Sequence, residues 1–222
     1  MRRLPFLILY LFATSVVFAQ IQSEEIILYN NKIELPGTLS YSKENTPLII
    51  WVHGSGPVDR NGNQPAQNVK SNYIKQFRDA INTKDIAFFS FDKRTANKNN
   101  HPFLKDTKVP DFALDAQAII NHFKNTKQFS EIILIGHSQG SLVAMLAAKN
   151  IDKYISLAGA GETIDKTMIR QISKNNPTLG EAAKQQFDTL RMKGKIEIIN
   201  PFLISVFAKP MQSFWYSWML LN

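Results

Sequence analysis

Residues 131–149 read EIILIGHSQGSLVAMLAAK. The stretch from Glu131 to Ile135 is too short for a helix and rich in β-branched residues, as expected of a strand buried on both faces. Ser138 to Lys149 is apolar nearly all round, which predicts a helix in the core. Between them, Gly136-His137-Ser138-Gln139-Gly140 matches G-x-S-x-G in the strand–turn–helix setting that gives this pattern its meaning. A turn sharp enough to hold a serine at its tip brings residues two positions either side against neighbouring backbone, so both must be glycine. Ser138 Oγ then stands clear of the sheet, at the positive end of a helix. The alternative is a glycine-rich loop with a solvated serine, which needs no such pair of glycines.

Outward from this turn, strands and helices alternate. Pro47 to Val52 (PLIIWV), Ile86 to Phe91 (IAFFSF) and Tyr154 to Leu157 (YISL) read as three more strands of the sheet. Val69 to Asn82 carries Tyr73, Ile74, Phe77 and Ile81 at helical spacing. Phe112, Ala116, Ile119, Ile120 and Phe123 form one stripe of an amphipathic helix. Pro110 opens it, and Asp111 and Asp115 suit its positive end. Ile26 to Tyr29, Ile33 to Leu35 and Thr38 to Tyr41 read as short extended pieces around a Pro36-Gly37 turn. The alternation predicts an α/β fold: a mostly parallel sheet with helices on both faces. From Thr163 onward only helices are expected, over Ile164 to Lys174, Leu179 to Lys193 and Pro201 to Leu221.

The strand PLIIWV runs into His53-Gly54-Ser55-Gly56. A loop of small residues at a strand's C-terminal edge can turn backbone N–H groups toward Ser138. With the N–H of Gln139, that of Ser55, or of Gly56 as second choice, would stabilise an oxyanion. A plain glycine turn is the alternative, but two such motifs at one sheet edge support each other.

Composition narrows the rest. The chain has 222 residues, 44% hydrophobic and 20% charged, with ten Gly and ten Pro, which excludes disordered and collagen-like chains. It has no cysteine, so disulfides, thiolate catalysis and thiolate-bound metal are excluded. Four scattered histidines argue against a metal site, and no cofactor is expected. Arg2, Arg3, the apolar run Leu4 to Phe18 and the small residue Ala19 read as a signal peptide cleaved after Ala19. Cleavage lowers the net charge of +8 by two and implies export, to a periplasm or beyond the cell. The lysines are spread and do not interleave with aromatics, so no nucleic acid partner is expected. Pro201, Lys209 and Pro210 interrupt the last apolar stretch, so no stable membrane span is expected after signal cleavage. The expected organisation is a signal at 1–19, an α/β core at 20–161 and a helical cap at 162–222. The sequence leaves the oligomeric state open.

PLIIWVHGSGPVDRNGN, FSFDKR and EIILIGHSQGSLVAMLAAK together resemble the α/β-hydrolase fold. More narrowly, they are similar to secreted bacterial carboxylesterases and serine aminopeptidase-like hydrolases. The resemblance implies Ser138 as nucleophile, N–H groups of Ser55 and Gln139 as oxyanion donors, and the helices after Gly161 as a cap over a small-molecule ester or peptide substrate. Acyl transfer to water through an acyl-enzyme on Ser138 is the implied reaction. Peptide or amide hydrolysis, or binding without catalysis on the same shell, remain alternatives.

The other polar residues near these motifs read as structural. Asp92 is expected to pair with Lys93, Arg94 or Arg60, and Asp59 and Arg60 to fix the loop. His53 is expected to brace the oxyanion loop, His137 to point away from the site, His122 to be solvated and His101 to lie in a polar loop. Phe202, Phe207, Phe214, Trp215, Tyr216 and Trp218 read as cap core, substrate pocket or both. In this fold the triad order is Ser, acid, His, yet no histidine follows Ser138. Of the later carboxylates, Asp152, Glu162, Asp165, Glu181, Asp188 and Glu197, none closes a convincing strand. The expectation is a C-terminally shortened hydrolase whose triad acid and base are absent from this chain.

Overall fold

The computed structural model describes residues 20–221; the expected signal at 1–19 lies outside them. The sheet has six strands: β1 (Gln22–Asn30), β2 (Ile33–Tyr41), β3 (Pro47–Val52), β4 (Ala87–Phe91), β5 (Glu131–His137) and β6 (Lys153–Leu157). Their order is β1-β2-β4-β3-β5-β6. β4, β3, β5 and β6 run parallel, and β2 joins β4 antiparallel. Helix α1 (Tyr73–Asn82) links β3 to β4, α2 (Val109–Thr126) links β4 to β5, and α3 (Gln139–Ala147) links β5 to β6. The strands and helices expected of the α/β core are thus present.

Period-two alternation splits the buried residues between two faces. Leu48, Ile50, Val52, Phe89 and Leu134 belong to a core that includes α2, α3 and the later helices. Ile49, Trp51, Phe88 and Ile135 point the other way, onto Ile74 of α1. The later helices are α4 (Ile164–Asn175), α5 (Pro177–Lys193), α6 (Ile204–Phe207) and α7 (Lys209–Met219). Ile164, Phe187, Phe207, Trp215 and Trp218 share one buried cluster with the sheet. Val109 N donates to Ser217 Oγ at 3.1 Å, tying α7 to the start of α2.

Five expectations need correcting. Pro36-Gly37 is no turn: both residues lie inside β2, opposite Ile27 and Ile26. Pro36 is tolerated because its missing donor faces β4 where pairing has ended. Its carbonyl still accepts from Asp92 N at 2.7 Å. Gly37 makes room for Phe89, whose ring would lie 2.3 Å from an added Cβ. Helix α1 begins at Tyr73, not Val69. The final helical stretch breaks at Ala208, ahead of Pro210, because a proline inside a helix removes a backbone donor. Helix α3 is not buried all round, since Met145 and Leu146 are exposed. Asp115 serves no helix end; it is buried against Arg94, while Asp111 caps through Lys108 N at 2.7 Å.

Candidate active site

β3 and β5 are parallel neighbours with Val52 opposite Gly136, so residues 53–54 leave the sheet abreast of 137–138. β4 flanks β3 on its other side, with Ile50 opposite Phe89, so Asp92, Lys93 and Arg94 leave at the same edge. The chain passes from β3 to β4 on one side and later to β5 on the other. The crevice outside such a reversal is where ligands bind in open α/β sheets.

Ser138 sits at the tip of the β5–α3 turn with φ 53° and ψ −120°. That conformation strains a residue with a Cβ and persists only when its surroundings dictate it. The two glycines dictate it. A Cβ on Gly136 would lie 2.3 Å from Gly140 O, and one on Gly140 would lie 2.2 Å from Val52 O. Ser138 N donates to Leu157 O at 2.8 Å, and Ser141 Oγ donates to Gly136 O at 2.8 Å, fixing both sides of the turn. The Ser138 side chain is half-buried and does not cap α3.

The His53–Gly56 loop lies against this turn: a Cβ on Gly54 would be 3.4 Å from Ser138 Cβ. The N–H groups of Ser55, Gly56 and Gln139 donate to no backbone group among the described residues. Gly56 has φ 92°, and an added Cβ would meet Gln64 Oε1 at 2.3 Å. Asp59 holds the following segment by accepting from Asn61 N and Asn63 N at 2.9 and 2.8 Å.

Of the three cations offered for Asp92, Arg60 is the partner. Its backbone N, Nε and Nη2 donate to the carboxylate at 2.8, 3.0 and 2.9 Å. Arg94 pairs with Asp115 through two bonds of 2.7 Å. His53 is buried with its ring edge-on to Phe91 at 4.8 Å, as a brace for the loop. Among the described residues neither ring nitrogen has a hydrogen-bond partner. Burial, with the neighbouring Lys93 charge, pushes its pKa down to about 3, so it is neutral. His137 turns away from the crevice, onto Trp51 and Tyr73 at 6.1 and 5.8 Å. His122 is half-buried, with its pKa lowered by burial; His101 is exposed, in a 3-10 turn.

Sequence reasoning missed Lys93 as a site residue. It is buried and donates to Gly54 O at 2.8 Å and Gln139 Oε1 at 2.7 Å, tying the oxyanion loop to the residue after Ser138. Burial pushes its pKa down to about 7, against Asp115, which favours the charged form. The sequence carried no local signal for this role, because both acceptors come from other strand ends, those of β3 and β5.

A cavity of about 470 Å³ opens beside Gln139. Its lining includes the polar residues Ser55, Gln67, Lys93, Thr95, Thr107 and Gln139 with Gly56, and the aromatic residues Phe112, Phe214, Trp215 and Trp218. Ser138 is not among the lining residues. The aromatic cluster divides accordingly. Phe214, Trp215 and Trp218 face the cavity, Phe207 packs on Phe187 at 4.7 Å, and Phe202 is 82% exposed and belongs to neither.

The later carboxylates engage elsewhere. Asp152 accepts from Ile132 N at 2.8 Å, and Glu162 from Arg170 Nε at 2.9 Å. Asp165 pairs with Arg191, Asp188 with Lys184 and Glu197 with Lys195. No group of metal-ligating residues occurs among the described residues.

No protein-family model matches the sequence, and no curated protein matches it. Solved structures do. An esterase of Pyrococcus furiosus is 18% identical with a TM-score of 0.56, over 89% of this chain and 63% of that one. The α/β hydrolase GrgF of a Penicillium species is 19% identical with a TM-score of 0.52, over 86% and 61%. Est1E of Butyrivibrio proteoclasticus is 22% identical with a TM-score of 0.48, over 67% and 55%. The first two show that the chain has the α/β-hydrolase fold, and it spans less than two thirds of the length of all three structures.

Proposed function

We propose, from the α/β-hydrolase fold as premise, that this chain is built as a serine hydrolase of carboxylic esters. The observation that carries the reading is Ser138 at φ 53° in a turn closed by Gly136 and Gly140, beside a loop in which the N–H groups of Ser55 and Gly56 donate to no backbone group among the described residues. Ser138 Oγ attacks the ester carbonyl. The carbonyl oxygen, becoming an oxyanion, is met by N–H groups of Gln139 and of Ser55 or Gly56. Collapse of the oxyanion breaks the bond to the alcohol, which leaves with the proton given up by Ser138 Oγ; water then adds to the acyl-enzyme, releasing the acid and restoring the serine hydroxyl. Lys93 is not the base of a serine–lysine pair, since the hydrogen bonds its Nζ makes are to Gly54 O and Gln139 Oε1.

A second reading is a binding protein on a hydrolase shell. It is favoured by two histidines near the turn: His53 is buried and neutral, and His137 points away. Without a base the oxyanion hole and binding alone leave a residual rate, about 10³–10⁴-fold over water.

A serine-directed fluorophosphonate separates the two. Labelling that vanishes in Ser138→Ala supports the hydrolase reading; an unlabelled wild-type chain supports the binding reading. Short-chain aryl esters against amino-acid aryl amides then divide ester from amide hydrolysis. We also propose export, with cleavage after Ala19. Amino-terminal sequencing of protein from the periplasm or medium should begin at Gln20.

A further inference from the structure

We propose that the cavity beside Gln139 binds a small, mainly aromatic molecule bearing one carboxylate, with the Lys93 ammonium as its counter-ion. Lys93 is only 6% exposed, yet it lines the cavity. An ammonium has three donors. Two go to Gly54 O and Gln139 Oε1, both neutral acceptors, leaving one. Its Nζ also lies 4.7 Å over the ring of Phe112, which lines the same cavity.

The carboxylates packed nearby are already engaged. On α2, Asp115 holds Arg94 with both oxygens and Asn30 with one of them. At the end of β4, Asp92 is taken by Arg60. The remaining titratable neighbours give no negative charge: Arg94 is a cation, and His53 on the oxyanion loop is neutral at ordinary pH. Among the described residues Lys93 forms no salt bridge, although a buried charge without a counter-ion is costly. Beside the polar side chains of Gln67, Thr95 and Thr107, the rest of the wall is mainly apolar, with Leu104, Phe214, Trp215 and Trp218. One buried cation in an aromatic wall complements an aromatic body with one anionic head.

The inference deepens the proposed ester-hydrolase reading, since ester cleavage at Ser138 would release such an acid next to Gln139. Binding itself needs no working serine. Because Lys93 titrates near neutrality when the cavity is free, a carboxylate that favours the charged form must raise its pKa and draw in a proton. Affinity is then highest below about pH 7 and falls as the pH rises above it.

Isothermal titration with phenylbutyrate and its uncharged amide tests this. At about pH 6 the carboxylate should bind at least about 10-fold tighter than the amide, and the preference should vanish in Lys93→Met. At about pH 8 wild-type binding should take up a proton, read from buffers of different ionisation enthalpy; this needs no variant, so it stands even if Lys93→Met fails to fold. Ser138→Ala should bind the carboxylate as wild type does, so failure of serine labelling and failure of this site are read separately. Equal affinity for the two compounds, binding of neither, a preference retained in Lys93→Met, or no proton uptake would overturn the proposal.

Discussion

Replacing Gly140 by alanine tests the steric argument for the Ser138 turn most directly. The added Cβ would lie 2.2 Å from Val52 O and 2.5 Å from His53 O, where real Cβ atoms essentially never come within 3.0 Å. Both obstacles are backbone, and Val52 is fixed by pairing with Gly136 on β5. The start of α3 must therefore retreat from β3 by about 1 Å, carrying Ser138 with it. Overpacking of this kind costs about 1–3 kcal/mol, and the unyielding neighbours place Gly140→Ala near about 3 kcal/mol. For a domain of this size that lowers the melting temperature by roughly 6–12 °C. A displacement of about 1 Å at a nucleophile should also slow fluorophosphonate labelling by roughly 100-fold. Gly161→Ala is the control. Nothing lies within 4 Å of its added Cβ, so its stability should stay within about 0.5 kcal/mol of wild type. A Gly140→Ala protein that melts within about 2 °C of wild type and labels at the same rate would refute the reasoning.

Other consequences are equally open to measurement. Arg94→Met leaves Asp115 charged and buried, and should cost about 3–5 kcal/mol in urea unfolding; a loss under about 1 kcal/mol would contradict the buried pair. Arg60→Ala and Asp92→Ala should show a coupling of about 1 kcal/mol in a double-mutant cycle, modest because both side chains keep some solvent contact; strict additivity would count against the loop clamp. His53 is held neutral down to about pH 3 in the folded chain, but in the unfolded chain it takes a proton below about pH 6.5. Across that window the unfolded state binds more protons, so stability falls with falling pH, by about 1.4 kcal/mol per unit from this residue. His53→Gln should flatten that part of the acid-unfolding profile, and an unchanged slope would show that His53 does not set it.

The central strands were legible because each is a run of apolar residues too short to be a helix. The Ser138 turn was legible because its two glycines stand two residues either side of the serine, although the obstacle to a Cβ at Gly140 is the backbone of β3, far away in sequence. Pro36-Gly37 misled because local turn chemistry and tolerance at a strand's unpaired end use the same residues. Only the position of β4's last residue, fifty-odd residues later, distinguishes them. Asp115 misled in the same way: its place near a helix start suits the dipole, but Arg94 from another element claims it. The Asp92–Arg60 pairing was left open among three cations, since only the fold decides which of them reaches back across the oxyanion loop.

Lys93 and Arg94 show why the cavity's chemistry stayed hidden. Adjacent in sequence and of equal charge, both leave the same strand, and both lie over the Phe112 ring. Guanidinium geometry matches a carboxylate's two oxygens, so Arg94 takes both oxygens of Asp115 in two parallel bonds. The point charge of Lys93 is left with a carbonyl and an amide oxygen, in the lining of an aromatic-rich cavity that α7 completes from more than a hundred residues away. Composition counts the two cations alike. The planar fork of one and the compact head of the other decide which charge the fold pairs with a carboxylate and which it leaves on neutral oxygens.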